Sequence, residues 1–153
     1  MTTKPSIIIG CDEAACGLKN ILKKYIIDMG HEVEDAGTDN DVPVLYPDIA
    51  LAVAGAIRSG RRSLGVLLCG TGIGMAMTAN KVPGIRAAQA HDPYSAERAR
   101  KSNNAQIITL GARVVGPELA KMIVRSFITS EFEGGNSLPK VDRMMQIDQS
   151  FRS

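Results

Sequence analysis

Cys69-Gly70-Thr71-Gly72-Ile73-Gly74 follows directly on the apolar run Leu64-Gly65-Val66-Leu67-Leu68. A buried strand would then end in a thiol, and the alternating glycines after it would let backbone N–H groups approach an anion. A proton-transfer group beside an oxyanion cradle is what abstraction of a proton next to a carbonyl requires. A helix starting in this turn would also lower the thiol's pKa. Cys69 has a second reading as a small apolar residue that closes the strand, because free cysteine often packs that way.

The turn is not G-x-x-x-x-G-K-[ST], which disfavours a nucleoside-triphosphate loop. Gly70-Thr71-Gly72 opens like a dinucleotide fingerprint, but it follows the third strand and Gly74 stands at the wrong spacing. Asp12 and Glu13 are adjacent carboxylates after Gly10-Cys11, a pattern that suits a helix N-terminus as well as catalysis. His91 precedes an Asp92-Pro93 cap and reads either as a hydrogen-bonded packing residue or as a catalyst. Arg113 would bring a guanidinium to the same sheet edge, where it suits phosphate recognition. His31 receives no role.

Short apolar runs alternating with helical patterns must position these groups. Strands are expected at Ser6 to Cys11, His31 to Glu34, Leu64 to Cys69, Ile85 to Ala90 and Ile107 to Leu110. Helical spacing runs from Leu18 to Met29, from about Asp48 to Ser59 and from the glycine turn to about Lys81. Further helices start after Asp92 and at Gly116-Pro117, the latter with Leu119, Ile123 and Phe127 inward. A last one, about Pro139 to Phe151, carries Val141, Met144, Met145 and Phe151 on its apolar side. Strands each followed by a helix predict an α/β three-layer, Rossmann-like sandwich with a five-stranded parallel sheet. Asp12, Cys69 and His91 fall at the C-terminal strand ends, where such sheets bind ligands. The final helix has no strand to cover and is expected to pack on a partner subunit.

A chain of 153 residues, 44% hydrophobic, fits a single domain with a real core. Aromatics at 4% and the lack of Trp argue against a stacking platform for nucleic acid, and a net charge of +2 implies no strongly charged partner. No run approaches the ~20 apolar residues of a membrane span, and Ile7-Ile8-Ile9 is too short for a signal peptide. Cys11, Cys16 and Cys69 are an odd count without metal-like spacing. A cytoplasmic protein with free thiols and neither metal nor other cofactor is expected.

Taken together, these residues resemble the type B ribose-5-phosphate isomerase family, which includes the galactose-6-phosphate isomerase subunits. The likeness runs through Gly10-Cys11-Asp12, Tyr46-Pro47-Asp48, Cys69 to Gly74, Ala79 to Arg86, Asn103-Asn104-Ala105, Gly111-Ala112-Arg113 and Glu133-Gly134-Gly135. It implies a metal-free aldose–ketose isomerase, of the ribose-5-phosphate/ribulose-5-phosphate type, working through an enediolate. In that scheme Cys69 is the base, and Thr71 with the amides of Gly70, Gly72 and Gly74 holds the oxyanion. Asp12 and Asn103 would bind sugar oxygens, Tyr46 would line the pocket and Arg113 would take the phosphate. The resemblance further implies a homodimer or dimer of dimers, with sites completed by basic residues near the partner's C-terminus.

The chain departs from the family's pattern at four places, one of them a pair of residues. Glu13 stands where a phosphate-facing His is usual, Ser102 where a ring-opening His is usual, Asn136-Ser137 for an Arg-His pair, and Lys140 for an Arg. Lys140 keeps the charge but loses the bidentate fork. Ribose 5-phosphate is mostly a closed furanose, whereas a tetrose 4-phosphate cannot close that ring because O4 carries the phosphate. Loss of a ring-opening His is harmless for the shorter substrate, so an erythrulose 4-phosphate/erythrose 4-phosphate isomerase is the second expectation. His91 replacing the missing imidazole would keep pentoses in play. A non-catalytic module that senses a phosphorylated metabolite is the alternative from another class.

Overall fold

A computed structural model describes residues 3–152. In chain order the elements are β1 (Ile7–Cys11), α1 (Cys16–Asp28), β2 (Val33–Asp35), α2 (Tyr46–Arg58), β3 (Leu64–Cys69) and α3 (Ile73–Ala79). Then come β4 (Ala87–Gln89), α4 (Pro93–Lys101), β5 (Ile107–Gly111), α5 (Pro117–Ile128), a short 3-10 turn at Gly135–Ser137 and α6 (Leu138–Ser150). The strands form one parallel sheet in the order β2-β1-β3-β5-β4.

The central strands are apolar on both faces because helices cover both, as parallel crossovers require. Ile7, Ile9, Val66, Leu68, Ile108 and Leu110 pack with Leu22 and Ile26 of α1, Ala96 and Ala99 of α4, and Ile123 and Phe127 of α5. The alternate positions Ile8, Leu67, Cys69 and Ile107 meet Val53 and Ile57 of α2 and Met75 and Ala79 of α3. Three layers result, and Cys69 points into the α2–α3 side.

The boundaries differ where side chains take over the backbone's hydrogen bonds. The Gln106 side chain accepts the Arg86 N–H at 2.7 Å, so β4 starts at Ala87 rather than Ile85. Leu119, expected inward, is exposed; Ala120, Ile123, Val124 and Phe127 form the inner face of α5. In α6 Val141 is buried and Met145 half-buried, but Met144 and Phe151 face outward. That helix does have a seat on its own chain. Asp148 accepts the Gly84 N–H at 3.0 Å, and Arg152 donates to the Lys81 carbonyl at 3.1 Å.

Candidate active site

Cys69 closes β3 in register with Gly111 of β5, while Leu68 lies opposite Cys11 of β1. Three strand ends thus deliver Asp12, Cys69 and the Gly111-Ala112-Arg113 turn to one edge. Gly72 has φ +79, a left-handed conformation that glycine adopts at little cost, and it turns the chain into α3. In that conformation its N–H donates to Cys69 Sγ at 3.0 Å. Of the amides expected to cradle an oxyanion, this one is therefore directed at the sulfur. Gly74 is the second residue of α3, so its amide belongs to the first turn, which lacks intrahelical acceptors.

The turn is held from behind by residues that sequence reading did not single out. Thr109, fully buried in β5, donates to the Gly72 carbonyl at 2.8 Å, and Gln89 donates to that of Thr71 at 2.8 Å. A side chain at Gly111 would place its Cβ 2.7 Å from Thr71 Cα, so only glycine lets the turn rest on β5. A polar residue inside the run Ile107-Ile108-Thr109-Leu110 was the available signal for Thr109. Thr71 is exposed, and its hydroxyl oxygen accepts the Ile73 N–H at 3.2 Å, leaving its own O–H as a donor.

His91 lies beside this turn, where its Nε2 accepts the Gly111 N–H at 3.0 Å. That bond fixes the ring proton on Nδ1 and makes the imidazole a support for the end of β5. Asp12 accepts the Ala14 N–H at 3.0 Å, yet burial raises its carboxyl above the usual range, against the pull of that amide and of the Arg113 charge. Arg113 lies over Gly70, with Nη1 3.2 Å from where a Cβ would stand. Tyr46 opens α2 and lays its phenol on Gly74 so closely that a methyl there would overlap the ring.

Glu13 has a use that its sequence position did not disclose. Its carboxylate accepts the Val44 N–H at 3.2 Å and so tethers the loop that leads into Tyr46. The same loop is anchored by Lys19, fully buried, which donates to Asp35 and Asp39 at 3.0 Å each and to the Thr38 carbonyl at 2.7 Å. Cys11 lies beneath it, pushed up to about 12 by burial and by Cys16, and stays a neutral thiol.

Asn103 and Lys140 are not brought to this edge. Asn103 precedes β5 at its N-terminal end, a strand length of roughly 15 Å from Gly111. There it lines a cleft of about 360 Å³ with Asn80, Arg86, Met144 and Met145. Lys140 is exposed on the first turn of α6, on the same side of the molecule. Ser102, at the end of α4, is engaged by Arg98, whose Nε and Nη2 donate to its hydroxyl oxygen at 2.9 and 2.6 Å. Among the described residues, no three His, Cys, Asp or Glu side chains converge as metal ligands, and no helix is long and apolar enough to cross a membrane.

A model of the ribose/galactose isomerase family matches residues 7–144. The chain is 57% identical over 141 residues to a D-erythrulose-4-phosphate isomerase of Pectobacterium atrosepticum, covering 91% of this chain and 92% of that one. It is 40% identical over 143 residues to ribose-5-phosphate isomerase B of Escherichia coli, covering 94% and 96%. The structure of Clostridium thermocellum ribose-5-phosphate isomerase B superimposes with a TM-score of 0.93 at 41% identity, covering 95% of this chain and 99% of that one.

Proposed function

This chain belongs to the ribose/galactose isomerase family of sugar-phosphate isomerases, and from that premise we propose that its substrate is a tetrose 4-phosphate, interconverted between erythrulose 4-phosphate and erythrose 4-phosphate. One observation carries the choice of sugar. Neither position that could supply a base for opening a furanose has one free. Ser102 has no imidazole and its hydroxyl is occupied by Arg98, while His91 Nε2 is occupied by the Gly111 N–H. A tetrose 4-phosphate is open-chain and needs no such group. The 57% identity to a relative named for that substrate supports the same reading.

In this reading Cys69, as thiolate, removes the proton from C1 of the ketose and returns it to C2, while the O1 hydroxyl proton passes to O2, giving the aldose. The negative charge that forms on the carbonyl oxygen is met by Thr71 O–H and the amides of Gly70 and Gly74. Asp12 holds the neighbouring hydroxyls and Tyr46 bounds the pocket. Arg113 lies beside Asp12 for the phosphate end. Asn103 and Lys140 reach the substrate from a partner subunit, because one protomer keeps them a strand length away. The exposed apolar residues Leu51 of α2 and Ile73 and Met77 of α3 support a homodimer. Free cysteines suit the cytoplasm.

The test is a substrate panel with purified protein. The expected result is a kcat/KM for erythrulose 4-phosphate at least about tenfold above that for ribose 5-phosphate, a gap of about 1.4 kcal/mol in transition-state binding. A higher value for ribose 5-phosphate overturns the tetrose assignment. Absence of exchange of the transferred carbon-bound proton with deuterated solvent, together with absence of turnover, overturns catalysis itself and favours a sensor.

A further inference from the structure

We propose that Arg98, clamped by Ser102, binds the substrate phosphate and selects the four-carbon chain length. The inference rests on the reading above, in which the Asn103 side of one subunit completes the Cys69 site of another. Arg98 sits in the last turn of α4 and directs both Nε and Nη2 at the one hydroxyl oxygen of Ser102, at 2.9 and 2.6 Å. A guanidinium has five N–H donors, so this clamp fixes its plane and leaves three donors over. Its carboxylate neighbours do not take them up. Glu97 and Glu133 approach only to 3.8 Å, beyond hydrogen-bonding reach.

The neighbouring guanidiniums are already committed, Arg100 to the Asn104 side chain and the Ala105 carbonyl at 3.2 and 2.7 Å. Arg86 directs its N–H groups at the carbonyls of Asn103 and Asn104 and at Met145, and burial disfavours its charge. Arg98 therefore offers a half-exposed, oriented fork one helical turn from Asn103. A planar fork suits a phosphate dianion, which accepts two parallel N–H bonds.

Chain length enters through chemistry. In a tetrose 4-phosphate the ester oxygen is O4, the same atom that closes the furanose ring of a pentose. The phosphate thus stands one carbon nearer to C1 and C2 than in a pentose 5-phosphate. A guanidinium that is pinned by two bonds at Ser102 cannot follow a longer chain outward as a free arginine would. It measures the span between the enediolate carbons and the phosphorus.

The experiment uses full-length Arg98→Leu, Arg98→Lys and Ser102→Ala, with kcat and KM for erythrulose 4-phosphate and ribose 5-phosphate. Inhibition by inorganic phosphate is measured alongside. Arg98→Leu is expected to raise the tetrose KM and the phosphate Ki by about ten- to a hundredfold, with kcat much less changed. Arg98→Lys recovers part of the loss. Ser102→Ala, which keeps the charge but frees it, narrows the preference for tetrose over pentose. An unchanged KM and Ki in Arg98→Leu, or a fall in kcat alone, overturns the assignment. If wild-type protein turns over only ribose 5-phosphate, the tetrose reading fails, and the phosphate Ki measured with that substrate still decides whether Arg98 binds phosphate. Should Arg98→Leu lose its unfolding transition, Arg98→Lys and Ser102→Ala carry the same comparison.

Discussion

A thiol carries a proton usefully only when its anion is held, and the Gly72 N–H 3.0 Å from Cys69 Sγ provides that hold. Cys69→Ala is therefore expected to lower kcat by roughly 10²–10⁴-fold with the unfolding midpoint little changed, as loss of a general base does. Stopped-flow or coupled assays beside a thermal melt check both halves. Retention of near-full activity would sink the base assignment. His91 leads to the opposite expectation. Its loss leaves the buried Gly111 N–H without an acceptor, so His91→Ala should cost about 1–3 kcal/mol in urea unfolding. Cys69 and Thr71 were legible in the sequence because they are contiguous with the turn they serve. The tether made by Glu13 was not, since its partner Val44 is disclosed only by the fold, and neither was the clamp on Arg98. Arg98 stands among Glu97, Arg100 and Lys101, a charge run that reads as a solvated helix end.

At the scale of elements, the reactive turn is a passenger on β3 and β5, and its geometry depends on how closely those strand ends nest. Gly111→Ala puts a methyl 2.7 Å from Thr71 Cα, so the turn must lift away from β5. A fall in kcat/KM of tenfold or more, about 1.4 kcal/mol, is expected, together with a lower melting temperature. The loop before α2 depends instead on charge. Burial pushes the Asp35 carboxyl up, but the Gly37 amide and the ammoniums of Lys19 and Lys23 outweigh it and hold the pKa low. Burial likewise pushes Lys19 down, and its bonds to Asp39 and Asp35 outweigh that and raise it. A depressed carboxyl stabilises the fold above its unfolded pKa, and a raised amine stabilises it below its own. The pair's contribution should therefore span about pH 4 to 10 and fade on either side. Lys19→Met, which leaves the half-buried Asp35 with Lys23 as its one counter-ion, should cost about 3 kcal/mol inside that window and much less at pH 3. An equal loss at both pH values would assign the effect to packing. The sheet itself was legible because its central strands are uninterrupted apolar runs between helical periods. Its edges were less so: β2 and β4 are three residues each, and their ends are set by Glu32 and Gln106 rather than by their own pattern.

For the whole molecule, the issue is where one site ends and the next begins. A protomer gathers Asp12, Tyr46, Cys69, Thr71 and Arg113 at the C-terminal edge of the sheet, and Arg98, Asn103 and Lys140 on the other side. Sequence could name both groups but not their separation, because the distance depends on β5 running between them. In the proposed homodimer each site draws the first group from one subunit and the second from the other, so two defective chains can restore each other. Cys69→Ala and Asn103→Ala are each expected to be nearly inactive alone. Co-refolded in equal amounts, half of the dimers would be mixed, and each mixed dimer would hold one site with both residues intact. Activity should then return to about a quarter of wild type, as two-fold symmetry dictates. A mixture no more active than its parts means that Cys69 and Asn103 act within one chain or not together, and the dimeric site is wrong.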